Sequence, residues 1–225
     1  AWQQIPSTIV SELLCHVGLD GVVIDTEHGF FNNETLYNCI QLITSMNKVC
    51  FVRLTEPSKS FTRACLDAGA DGIIFSTVET GEQCRAIHEI CRFPSQGGKR
   101  GLGLVRQNKW GIDKLISDRP IIIAQIETIN GINNLDTITS FGFDHYMIGP
   151  YDLSASLGIP AEFDNPKFLK AIAKVKQIIT DNSQMAVHIP TDIDKHIDKY
   201  HDYGIIAVGM DTTILIEGYK EITNA

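Results

Sequence analysis

The sequence predicts an α/β fold, a TIM (β/α)8 barrel that spans residues 1–225 as one domain. Three observations predict it. First, one joint recurs four times: a glycine ends a helical pattern, and a short apolar strand begins a few residues later. It occurs at Gly18 before Val22-Val23-Ile24, at Gly69 before Ile73-Ile74-Phe75, at Gly142 before Tyr146-Met147-Ile148, and at Gly204 before 205–208. Glycine takes the left-handed conformation after a helix without steric cost. Second, the strands are apolar throughout rather than alternating, as parallel strands covered on both faces must be. Third, eight such strands alternate with helices over a length that α/β barrels often occupy. A doubly wound open sheet is the runner-up, because the first strand is short.

Taken in order, the strands fall at 2–5, 21–25, 50–53, 72–75, 121–126, 145–148, 185–188 and 205–208. Helical periodicity fills 9–17, 33–46, 60–68, 81–91, 131–140, 166–180, 192–203 and 213–222. Asn33-Glu34 opens the second helix and Pro166 sits in the first turn of the sixth, both favoured placements. The longest connection, 92–120, is rich in Gly, Lys and Arg and belongs at the N-terminal end of strand five. It is too long for a plain linker, so it is expected to fold over a neighbour or over the mouth. Gly97-Gly98 and Gly101-Leu102-Gly103 lack the preceding strand and following Lys-Ser/Thr of a phosphate cradle, and read as a structural loop.

Composition excludes several classes. The net charge is −8 and no Lys/Arg stripe forms, so no nucleic-acid partner is expected. No apolar run reaches membrane-spanning length and no signal peptide is visible. The six cysteines contain no C-x-x-C and read as small buried hydrophobes in a reducing cytoplasm.

Barrel chemistry sits at the C-terminal strand ends, and these strands deliver polar groups there. They are Gln3 and Gln4, Asp25-Thr26-Glu27-His28, Arg53, Ser76, Gln125 and Glu127, Asp152, His188, and Asp211. Glu127 and Asp152 follow adjacent parallel strands, so their carboxylates can converge. Two carboxylates at one mouth repel, share a proton or hold a hard cation. The cation is the working reading, and capping of the following helices is the alternative. An oxygen-rich set suits Mg²⁺ or Mn²⁺ better than Zn²⁺, with Co²⁺ admissible. His28, with Asp25 accepting from its imidazole, is a candidate acid/base; its alternative is an ordinary loop histidine. Arg53 needs an anion, either a substrate or a buried partner such as Asp25 or Glu27. No lysine stands near a strand's C-terminal end, which disfavours a Schiff base.

Taken together, Ile24-Asp25-Thr26-Glu27-His28, Val52-Arg53, Lys99-Arg100-Gly101-Leu102-Gly103, Gln125-Ile126-Glu127 and the run from Gly149-Pro150-Tyr151-Asp152 to Gly158 resemble the HpcH/HpaI family of class II pyruvate aldolases. The likeness extends in order to Val208-Gly209-Met210-Asp211. It implies a metal-dependent lyase that interconverts a 4-hydroxy-2-oxo acid with pyruvate and an aldehyde. It implies Glu127 and Asp152 as metal ligands, Arg53 on the enolate oxygen, and His28 supported by Asp25 as acid/base. Gln125 would hydrogen-bond within the metal site, and backbone N–H groups near Tyr151 and Asp152 would receive the pyruvate carboxylate. A homo-oligomer, hexameric and built from dimers that exchange a C-terminal helix, is implied too. Thr26 stands where a small Gly is common in the family, which would narrow the aldehyde's path. The alternatives are an oxaloacetate decarboxylase or CoA-ester lyase on the same enolate, and a non-catalytic barrel that binds a 2-oxo acid.

Overall fold

The computed structural model describes residues 1–113 and 119–223. Its eight strands are β1 (Trp2–Gln3), β2 (Gly21–Asp25), β3 (Val49–Leu54), β4 (Gly72–Phe75), β5 (Ile121–Ile126), β6 (His145–Ile148), β7 (Met185–Ile189) and β8 (Ile205–Val208). They form one sheet in sequence order, each parallel to its neighbour. A parallel bridge between Trp2 and Met210 brings the end of β8 back to β1, so the barrel is nearly closed. Around it run α1 (Thr8–His16), α2 (Asn33–Ser45), α3 (Lys59–Ala68), α4 (Gly81–Cys91), α5 (Ile129–Asn133), α6 (Leu135–Thr139), α7 (Pro150–Ser156), α8 (Pro166–Ile178), α9 (Ile193–His196) and α10 (Asp211–Thr223). Among the described residues no helix is long and apolar enough to cross a membrane.

The continuous apolar strands divide by the two-residue period of a strand. Trp2, Val23, Phe51, Ile74, Ile123, Met147, Ala186 and Ala207, one from each strand, fill the barrel interior. The residues between them, such as Val22, Ile24, Val52, Ile73 and Ile122, pack outward with Ile40, Ile43, Leu66, Ile87 and Ile138 of the helices. Two residues beyond each interior residue, the same face carries Gln4, Asp25, Arg53, Ser76, Gln125, Gly149, His188 and Gly209. A polar layer therefore stands on an apolar plug at the C-terminal end of the barrel. This register positions the site.

Three of the glycine joints take positive φ at Gly18, Gly69 and Gly142. Gly204 does not; a Cβ there would lie 2.0 Å from the Ser183 carbonyl oxygen, so close approach explains it. β1 ends earlier than expected because the N–H groups of Gln4 and Ile5 donate to the two Asp211 carboxylate oxygens, both at 2.9 Å. The expected helix over 131–140 breaks into α5 and α6 at Asn134, whose amide donates to the Glu79 carbonyl at 2.8 Å. The helix expected over 192–203 is reduced to α9 and a 3-10 turn, Ile197–Tyr200. In the long connection, Arg100 is buried against Asp67 at 2.8 Å and over the Phe93 ring, and Arg106 donates to Thr44 and to the Ala68 carbonyl. The described part of the loop thus folds over neighbouring helices. Residues 114–118 of it lie outside the described residues.

Candidate active site

β2 and β3 pair Asp25 directly with Arg53 in register, and their side chains meet as a fork. Arg53 donates Nε to Asp25 Oδ1 at 2.9 Å and Nη2 to Oδ2 at 2.6 Å. Its Nη1 lies 2.8 Å from Glu27 Oε2, and the guanidinium sits 4.9 Å from the centre of the Trp2 ring. Asp25 is fully buried and also accepts from Trp2 Nε1 and Gln4 Nε2. Burial alone would raise its pKa; the Arg53 bonds and charge, with Gln4 and Trp2, outweigh it and hold the carboxyl at about 2. Arg53 therefore has protein partners, and it also lines the cleft.

Asp25 takes the backbone N–H of His28 at 3.3 Å, not its imidazole. The expected Asp25–imidazole contact is replaced by Glu27, whose Oε2 is 3.9 Å from His28 Nε2. The physical reason is occupancy: Asp25 is already filled by Arg53, Gln4 and Trp2. His28 stands at the exposed rim of the cleft. Thr26 turns its hydroxyl onto the Arg53 carbonyl at 2.5 Å and is not part of the cleft wall, so it does not narrow the path as expected.

Across the mouth, β5 ends in Gln125 and Glu127, both buried. Glu127 Oε1 accepts from the Thr77 N–H at 2.7 Å and hydroxyl at 2.8 Å, and Oε2 accepts from Gln125 Nε2 at 2.5 Å. Burial raises the Glu127 pKa; the Thr77 bonds oppose this, and the charges of Glu27 and Asp152 add to it. Asp152 lies in the first turn of α7, which Pro150 opens. Gly149 is the only residue type that fits between them: a Cβ there would stand 2.4 Å from Glu127 Oε2 and 2.9 Å from Gln125 Nε2. Gln125 Oε1 is buried and has no hydrogen-bond partner.

The third wall was not assigned a role from sequence. His188 stacks on Trp2, with ring centres 4.2 Å apart and planes 12° apart. With Gln4, Pro190 and Met210 these two rings complete a cleft of about 340 Å³ that also contains His28, Arg53, Gln125, Tyr151 and Asp152. The two-residue step from Ala186 marks His188 as inward-facing, and that signal was legible.

A family model described as HpcH/HpaI aldolase/citrate lyase matches residues 2–217. The chain belongs to that family. It is 30% identical to a hydroxypyruvate/pyruvate aldolase of Roseobacter denitrificans, over 98% of this chain and 89% of that protein. It is 31% identical to a 2-keto-3-deoxy-L-rhamnonate aldolase of Salmonella gallinarum, over 96% and 84% respectively. The crystal structure of a family protein from Burkholderia cenocepacia superposes with a TM-score of 0.89 at 23% identity, covering 99% of this chain and 91% of that one, and shows the shared fold. An HpcH/HpaI chain with named aldolases among its relatives is an enzyme of the carbon–carbon lyase class.

Whether this family member's mouth suits a divalent cation can be tested on its own atoms. Asp25 and Glu27 pair with Arg53, and burial, with the charges of Glu27 and Asp152 added to it, raises the pKa of Glu127. A buried amide oxygen, Gln125 Oε1, lacks a partner beside them. Among the described residues no group of three or more His, Cys, Asp or Glu side chains forms a cage. Mg²⁺ is usually held by one or two carboxylates with waters and substrate oxygens rather than by such a cage. The residues fit the cation.

Proposed function

We propose that the chain is a metal-dependent aldolase that reversibly cleaves a 4-hydroxy-2-oxo acid to pyruvate and an aldehyde. The observation that carries this reading is the cluster of carboxylates around the unpartnered Gln125 oxygen, at the catalytic end of an HpcH/HpaI barrel. Glu127 and Asp152 would hold Mg²⁺ or Mn²⁺, which supplies positive charge where the enolate oxygen develops.

The protein's own groups divide the remaining work. The first backbone N–H groups of α7, at Tyr151 and Asp152, lack helical acceptors and receive the substrate carboxylate. Arg53, clamped by Asp25 and Glu27, holds its charge fixed beside the 2-oxo oxygen and does not reorganise as that oxygen gains charge. His28, close to Glu27, takes the C4 hydroxyl proton directly or through a water. The C3–C4 bond then breaks, its electron pair passes into the C2–C3 bond, and the carbonyl pair moves onto oxygen. The aldehyde leaves, and the proton taken up by His28 is returned to C3, directly or through water, which completes pyruvate.

The proposal includes a reducing cytoplasm, supported by six free, buried cysteines. It also includes self-association, supported by apolar side chains left exposed on α1 and its C-cap (Ile9, Leu13, Val17) and on α10 (Ile214, Tyr219, Ile222). Light scattering should return a mass that is a multiple of 24.9 kDa; a monomer at all concentrations would remove this part. The reaction is tested by pyruvate release from a panel of 4-hydroxy-2-oxo acids after EDTA treatment. Activity should vanish and return with Mg²⁺ or Mn²⁺. Full activity in EDTA contradicts the proposal.

A further inference from the structure

His188 lines the cleft and has no part in the enolate chemistry proposed above. His188 Nε2 lies 3.3 Å from the Gly209 carbonyl oxygen. A carbonyl only accepts, so Nε2 carries the ring proton and Nδ1 carries a lone pair. Stacking on Trp2 fixes the ring plane, and Trp2 is itself fixed by its bond to Asp25 at 3.1 Å. Among the described residues no hydrogen bond is made to Nδ1, and His188 lines the cleft. Burial, opposed by the Gly209 bond and reinforced by the Arg53 charge, pushes the imidazole down to about 4. The ring is neutral near pH 7.

On the proposed function, the oxo-acid half of the substrate is claimed by Arg53, Gln125, Glu127 and Asp152. At about 340 Å³ the cleft is of a size that encloses a whole small ligand. The rest of the lining, which includes Trp2, Gln4, His188, Pro190 and Met210, is left for the other half. We infer that His188 is a specificity-determining residue whose Nδ1 accepts a hydrogen bond from a hydroxyl on the aldehyde half, selecting neutral hydroxyaldehydes over their deoxy counterparts. A neutral acceptor cannot pair with a carboxylate or phosphate, so acidic aldehydes are disfavoured by the same atom. This rests on the aldolase reading and goes beyond it.

The test compares cleavage of 4,5-dihydroxy-2-oxopentanoate with that of 4-hydroxy-2-oxopentanoate by the parent, His188→Leu and His188→Asn. The parent should prefer the dihydroxy acid. His188→Leu should lose about tenfold in kcat/KM on that substrate alone, the size of one neutral hydrogen bond, and His188→Asn should recover most of it. Circular dichroism and thermal melting at pH 7 should show that both variants are folded, and exchange of pyruvate methyl protons with D₂O reads the oxo-acid half in the parent. In the parent, ¹⁵N shifts should report a bare Nδ1 and a protonated Nε2 at pH 7. An unchanged preference in His188→Leu, the opposite tautomer or an imidazolium overturns the inference and leaves the aldolase reading standing. A parent that neither cleaves these acids nor exchanges pyruvate protons overturns both.

Discussion

At the scale of single residues, Gly149 decides whether the proposed metal corner can form. Its missing Cβ leaves the space in which Glu127 Oε2 and Gln125 Nε2 meet. Gly149→Ala should lower Mn²⁺ affinity about 10–100-fold, as expected for disturbing the groups that orient a ligand, and calorimetric titration reads it directly. His188 leaves a second mark. Its folded pKa of about 4 is below the ordinary 6.5, so its contribution to stability is fully present above pH 6.5 and is lost as pH falls through 4. Urea titrations should show the parent losing on the order of 2–3 kcal/mol more than His188→Leu across that window. Equal losses would mean the ring is not held neutral. Residue identity was largely legible: Asp25, Arg53, Gln125, Glu127 and Asp152 all stand at the barrel mouth. Contacts were less so, because the choice of Asp25 between His28 and Arg53 depends on a cross-strand register that no local pattern encodes.

At the scale of elements, the two-residue period explains both core and site. Val23 and Asp25, Phe51 and Arg53, Ile123 and Gln125 are successive inward positions of their strands. Helix and strand types followed from glycine joints and apolar runs, which are local. Departures came from partners distant in sequence. β1 is cut short by Asp211, more than 200 residues away, which accepts from Gln4 and Ile5 and ties α10 to the start of the barrel. Asp211→Ala would leave two backbone donors without their carboxylate. It should cost about 3 kcal/mol in chemical denaturation, and a loss below 1 kcal/mol would show that water replaces the carboxylate readily. The break at Asn134 has the same origin, since its amide is bound by the loop before α4.

At the scale of the molecule, the fold sorts charge. Two-sided strands and their helices make an apolar body, and four carboxylates are gathered with one buried arginine at a single end. Such an excess is costly unless a cation offsets it. The stacked Trp2 and His188 rings beside it add no carboxylate, so on the inference above the two halves of a bound substrate would meet different surroundings. Glu127 and Asp152 are proposed to hold a cation that would make pyruvate acidic at its methyl group. The most direct measurement is exchange of pyruvate methyl protons with D₂O, followed by NMR in metal-stripped, metal-restored, Glu127→Ala and Asp152→Ala protein. No aldehyde is needed, so an unknown acceptor does not affect it. Exchange should occur only in the metal-restored parent. Exchange that persists in stripped protein, or in either variant at the parent's rate, would contradict the account.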